Sequence, residues 1–125
     1  MPLVTIGGLA LATAALYVRD PHEHGSWGLC PSAAMGFYCP GCGGLRAVND
    51  LTHGEVGAAL SSNILVTLMI PVVSLGLLVW LVESWRGRTH ELNARLITRT
   101  TVAFCVVAVA FAIVRNTPFG AWLAP

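Results

Sequence analysis

Three long uncharged runs divide the chain: residues 2–18, closed by Arg19-Asp20; residues 56–82, closed by Glu83; and residues 100–114, held between Arg99 and Arg115. A membrane-crossing helix needs about 20 apolar residues. The third run alone covers only about 22 Å at ~1.5 Å per residue. It must therefore extend into Leu96-Ile97, with Arg95 and Arg99 snorkelling outward. The pattern predicts three spans, at about 2–18, 58–82 and 96–115. Between the first two lies a polar stretch, 19–55, too long for an ordinary helix connection and broken by Pro21, Pro31, Pro40 and several glycines. Within it, 43–51 has helical periodicity: Leu45, Val48 and Leu51/Thr52 share one side, and Arg46 and Asp50 are i,i+4 neighbours. His53-Gly54 reads as the end of that helix and the turn into the second span. Pro71, mid-span, predicts a kink, and Ser74 and Gly76 a close helix contact. Gly7-Gly8, Ala10, Ala12, Ala14 and Ala15 make the first span a packing surface. The expected fold is an all-α membrane protein over one domain, 1–125, with three transmembrane helices, a cysteine-containing extracytoplasmic loop and a short interfacial helix.

Composition strengthens this picture. Of 125 residues, 55% are hydrophobic and only 10% charged, against roughly 25% charged in a soluble domain; mean hydropathy is +0.71. A net charge of +1 gives no electrostatic case for nucleic acid. The first run lacks the basic n-region and small-residue cleavage site of a signal peptide and is expected to be retained. Arg86, Arg88, Arg95 and Arg99 flank the 83–99 loop, whereas 19–55 carries only Arg19 and Arg46. By the positive-inside rule the N-terminus and the 83–99 loop are cytoplasmic and the cysteine loop extracytoplasmic. Tyr17, Trp27, Tyr38 and Trp122 fall near one interface, and Trp80 and Trp85 near the other.

Chemical capability concentrates in Cys30-Pro31 and Cys39-Pro40-Gly41-Cys42-Gly43-Gly44-Leu45-Arg46. Three readings stand side by side. Outside the cytoplasm thiols oxidise, giving one disulfide and a leftover thiol: Cys39–Cys42 would close a tight, reducible ring, whereas Cys30 paired with Cys39 or Cys42 would staple the loop, closing about ten residues and contributing roughly 2–3 kcal/mol. Alternatively, Cys42 at a helix N-terminus near Arg46 would have a lowered thiol pKa and serve in thiol–disulfide exchange. Third, Cys-Pro-Gly-Cys-Gly is half of a zinc knuckle; Cys30 and one of His22, His24 or His53 would complete it. Cys105, inside the third span, reads as a packing residue.

The remaining polar residues near the span ends are Asn63, Arg115 and Asn116. Asn63 is expected to cap or solvate the start of the second span. Arg115 is expected to act as an interfacial anchor, pairing with Asp50, Glu55 or lipid phosphate. Arg46 is expected to reach Asp50 or the backbone of Arg115-Asn116. There is no intramembrane acid for a proton relay, no phosphate-binding glycine loop and no Ser-His-Asp grouping.

The run Cys39-Pro40-Gly41-Cys42-Gly43-Gly44-Leu45-Arg46-Ala47, followed by Leu51-Thr52-His53-Gly54, Ala58-Ala59 and Asn63, resembles the bacterial membrane family called domain of unknown function 2752. Arg115-Asn116-Thr117-Pro118 is similar to that family's last span boundary, so the resemblance runs from about Gly28 to Pro125. Leu45 stands where the family usually has Thr or Ser, and Ile64 where it often has Pro. The resemblance implies a bacterial membrane architecture, and the family name supplies no activity. The functional expectation is a non-catalytic accessory subunit of a larger membrane complex, of the respiratory kind, in contact with other integral membrane subunits and lipid and needing no cofactor. The alternative is a thiol-redox or zinc-binding membrane protein built on Cys30, Cys39 and Cys42.

Overall fold

The structure is a computed structural model that describes residues 1–23, 31–88 and 93–124. Every regular element among them is helical: α1 (Pro2–Val18), α2 (Pro31–Ala34), α3 (Gly44–Thr52), α4 (Val56–Trp85), α5 (Ala94–Arg115) and a 3-10 helix, Pro118–Leu123. Two helices, α4 and α5, are long and apolar enough to cross a membrane, and α1 is a shorter apolar helix.

The boundaries follow local chemistry. Pro2 sits in the first turn of α1, where its missing N–H costs nothing. Gly43 precedes α3 with φ +78°, a left-handed conformation that glycine adopts without strain. After α3, His53 and Gly54 (φ +80°) turn the chain back, so that α3 and α4 form an antiparallel hairpin. At α5 the Asn93 side chain accepts the Arg95 N–H at 3.0 Å, an ordinary N-cap.

The hairpin receives the C-terminal end of α1. Asn49 Nδ2 donates to the Leu16 carbonyl at 2.7 Å, satisfying one of the carbonyls a helix end leaves open. The His53 ring stacks on Tyr17, with centroids 4.6 Å apart and planes 10° from parallel. Asp50, buried on α3, accepts from Ser62 Oγ at 2.8 Å and lies 3.3 Å from His22 Nε2. The expected Arg46–Asp50 pair does not form: Asp50 turns inward to these partners, and Arg46 makes no hydrogen bond or ion pair with a described residue.

The one non-helical residue inside α4 is not at the proline. The backbone stays helical through Pro71 and breaks at Asn63 (φ −164°, ψ 100°). The reason lies in the side chains. Asn63 Oδ1 accepts the Val66 N–H at 3.0 Å, as an N-cap does for a helix starting there. Thr67 Oγ1 lies 2.8 Å from the carbonyls of both Ala59 and Asn63, replacing backbone bonding at the break. The expectation that Asn63 caps a helix end thus holds, but the end lies inside α4.

Burial concentrates at one end of the molecule, around α3, the first part of α4 and the end of α5. Away from it the helices are thinly covered: only 6% of the most apolar window of α4, and of α5, is buried. Among the described residues no helix packs on Gly76, since a Cβ there would meet nothing within 4 Å. A cavity of about 720 Å³ lies between α1, α4 and α5, walled by Leu9, Met69, Val73 and Phe104 and roofed by Pro40-Gly41.

Candidate functional site: a clamped cysteine turn

Cys39-Pro40-Gly41-Cys42 folds as a tight turn, with the Cys42 N–H on the Cys39 carbonyl at 3.1 Å and the Gly44 N–H on the Gly41 carbonyl at 2.9 Å. This brings the two Sγ atoms to 3.2 Å. Cys42 is buried, Cys39 is half-buried, and Ser32 Oγ stands 3.7 Å from Cys42 Sγ. Gly44 lets the turn press on α4: a Cβ there would sit 3.3 Å from Val66 Cγ2.

The turn is held through its carbonyls, from two helices. Asn63 Nδ2, freed by the break in α4, donates to Pro40 O and Cys42 O, each at 2.9 Å. Arg115 Nη1 donates to Cys39 O and Cys42 O, each at 3.1 Å, and Nη2 to Leu123 O at 2.9 Å. Asn116 grips the preceding residue: its Oδ1 accepts the Tyr38 N–H at 2.9 Å and its Nδ2 donates to Tyr38 O at 2.7 Å. The Arg115 guanidinium also lies 5.0 Å from the Phe111 ring centre and 5.8 Å from that of Tyr38, within cation–π range.

Arg115 therefore departs from expectation. It is 2% exposed, and instead of pairing with Asp50, Glu55 or phosphate it binds carbonyls. Asn63 is fully buried, at 0% exposure. Asn116, Asn63, Arg115, Cys39 and Cys42 come together; Arg46, Asp50 and His53 do not join them. Asp50 and His53 belong to the far end of α3, whose nine residues, about 14 Å of helix at ~1.5 Å each, separate His53 from the cysteine turn. His53 is instead stacked on Tyr17, with Nδ1 2.9 Å from the Asn49 carbonyl. His22 lies 2.8 Å from Asp20 and 3.3 Å from Asp50. Neither histidine is placed to share a zinc ion with Cys42. Among the described residues no three His, Cys, Asp or Glu side chains form a metal-binding group. Cys30, His24 and Trp27, and with them the pairing expected of Cys30, lie outside the described residues.

Sequence reading had not singled out Asn49, Ser62 or Thr67, although all three are buried and hydrogen-bonded. Their signal was polar residues on α3, Asn49, and within the first half of α4, Ser62 and Thr67.

These features define a small all-helical chain with membrane-length helices and a cysteine turn fixed at one end of them. Residues 30–77 match the model of a family described as protein of unknown function (DUF2752), the family that the motif resembles. The matched stretch takes in the turn, α3 and the first two-thirds of α4, and stops short of Arg115 and Asn116. No curated protein and no solved structure matches the chain.

Proposed function

We propose that the chain crosses a bacterial cytoplasmic membrane three times and serves as an accessory subunit of a larger membrane complex. In this arrangement α1, about 26 Å long for its 17 residues, is the first span. Arg86, Arg88, Arg95 and Arg99 face the cytoplasm, and the cysteine turn faces outward.

One observation carries the assembly role: four glycines of the spans have no neighbour packed on them among the described residues. A Cβ placed at Gly7, Gly8, Gly57 or Gly76 would meet nothing within 4 Å. Lipid tails gain little from such positions, but another helix gains close backbone approach. The concavity between α1, α4 and α5 points the same way. Respiratory assemblies are the first place to look, since small helical chains commonly serve there as accessory subunits.

The test is gentle detergent extraction, native electrophoresis and identification of co-purifying integral membrane proteins. Gly7→Leu and Gly76→Leu should release the partners while leaving the melting temperature unchanged, because no contact inside the chain is disturbed. A wild-type protein that runs as a monodisperse monomer with no companion overturns the proposal.

A further inference from the structure

Arg115 does more than an assembly role requires. It is a buried cation whose three described hydrogen bonds all go to carbonyls, and its Nε is buried without a hydrogen-bond partner. Among the described residues no carboxylate lies within ion-pair distance of it. Removing a charge from water is costly unless an opposite charge compensates. Among the described residues, the ionisable groups that it interacts with are Cys42, Cys39 and Tyr38. The two thiols are thus placed to supply the missing anion.

A second feature acts on the same atoms. Cys42 stands just before Gly43, the N-cap of the nine-residue α3, where the open N–H groups of a helix start favour negative charge. A dithiol with its Sγ atoms 3.2 Å apart, one sulfur half-exposed and the other buried, has the layout of an attacking and a resolving thiol. Among the described residues the other elements add no carboxylate beside the turn. α4 contributes the neutral Asn63; Arg46, on the first turn of α3, is a cation; and Asp50, His22 and His53 gather at the opposite end of α3.

We propose that Cys39 and Cys42 are a redox-active dithiol whose thiolate is stabilised by the buried Arg115 guanidinium, and that it exchanges with a disulfide of another protein. The Cys39 thiolate attacks one sulfur of the partner's disulfide; that S–S bond breaks, a Cys39–partner S–S bond forms, and one partner thiolate leaves. Cys42, losing its proton, then attacks Cys39 Sγ. This closes the Cys39–Cys42 disulfide and releases the second partner thiolate. The partner gains two electrons and the Cys42 proton, and its other thiolate takes a proton from solvent. Run in reverse, the same steps oxidise a partner dithiol. The proposal does not depend on the accessory role: a solitary monomer with an acidic, exchangeable dithiol would remove that role and leave this one intact.

The experiment uses the full-length protein, reduced, in mild detergent. Alkylation rates of each cysteine by iodoacetamide are followed from pH 5 to 10 and resolved by peptide mass spectrometry. The expected result is a Cys39 midpoint about one pH unit or more below the ~8.5 of a free thiol. Cys105, on the apolar α5, serves as the internal comparison. Arg115→Lys should keep the low midpoint, and Arg115→Gln should return it toward the free-thiol value. Titration with oxidised and reduced glutathione should interconvert dithiol and Cys39–Cys42 disulfide at intermediate ratios. If the Arg115 variants do not fold, the wild-type measurements decide alone. A wild-type Cys39 midpoint at or above ~8.5 overturns the proposal, as does a turn that stays wholly oxidised or wholly reduced at every glutathione ratio.

Discussion

Asn63→Ala is the sharpest test of how the cysteine turn is held. The wild-type side chain makes three hydrogen bonds: two donated to Pro40 O and Cys42 O at 2.9 Å, and one accepted from the Val66 N–H at 3.0 Å. At about 1 kcal/mol net for each, their loss costs about 3 kcal/mol. Alanine gives back about 0.6 kcal/mol of helix propensity if α4 heals across the break. The net destabilisation is therefore about 2–3 kcal/mol, or a fall in melting temperature of roughly 10 °C for a chain of this size. Thermal unfolding in mild detergent, followed by a fluorophore that reacts with exposed thiols, would report it directly, because Cys42 is buried in the folded state. Asn63→Asp is the informative companion. It keeps the acceptor that caps Val66 but turns an oxygen toward two carbonyl oxygens, so it should cost at least as much as alanine. A melting temperature within ~2 °C of wild type for Asn63→Ala, or an Asp variant milder than the Ala variant, would refute this account of the turn.

Three further outcomes follow. Gly120→Ala should destabilise the C-terminal segment and raise proteolysis there, because a Cβ at Gly120 would lie 2.0 Å from the Val114 carbonyl oxygen; an unchanged digestion pattern would contradict that packing. The Asp20 carboxyl is held below its ordinary 3.8, first by the His22 backbone N–H and then by the His22 ring. A lowered folded-state value means that this contact stabilises above the ordinary carboxylate pKa and is lost as pH falls through the lowered one. The His22 amide resonance should therefore show an acid titration step with its midpoint below 3.8, and Asp20→Asn should abolish that step. For the proposed orientation, a membrane-impermeant thiol reagent should label Cys39 in reduced intact cells, while a cysteine installed by Arg88→Cys should label only after permeabilisation; the opposite pattern inverts the topology.

The helices were legible because their signals are long: uncharged runs placed α1, α4 and α5 within a few residues of their ends, and His53-Gly54 marked the end of α3. The cysteine turn and the start of a helix behind it were legible from Pro, Gly and the spacing of the two thiols. What the sequence concealed is pairing at a distance. Asn63 and Arg115 looked like boundary residues because each is a polar group at the rim of an apolar run. Whether such a group faces water, lipid or a turn 21 or 73 residues away is decided by the tertiary fold alone. The break in backbone geometry at Asn63 was hidden for a related reason. A proline strains a helix locally, yet the break went to Asn63, where side-chain donors and acceptors compensate it.

The separation between the turn and Arg115 also sets a timetable. Ribosomes add roughly 5–20 residues per second, and Cys42 precedes Arg115 by 73 positions. The thiols are thus synthesised about 4–15 s before the residue that clamps their carbonyls exists. During that interval only Asn63, 21 residues behind Cys42, has arrived to bind the turn. Encounters with oxidants, metal ions or folding factors in the newborn chain therefore occur on a looser and less cationic turn than the one the finished protein carries.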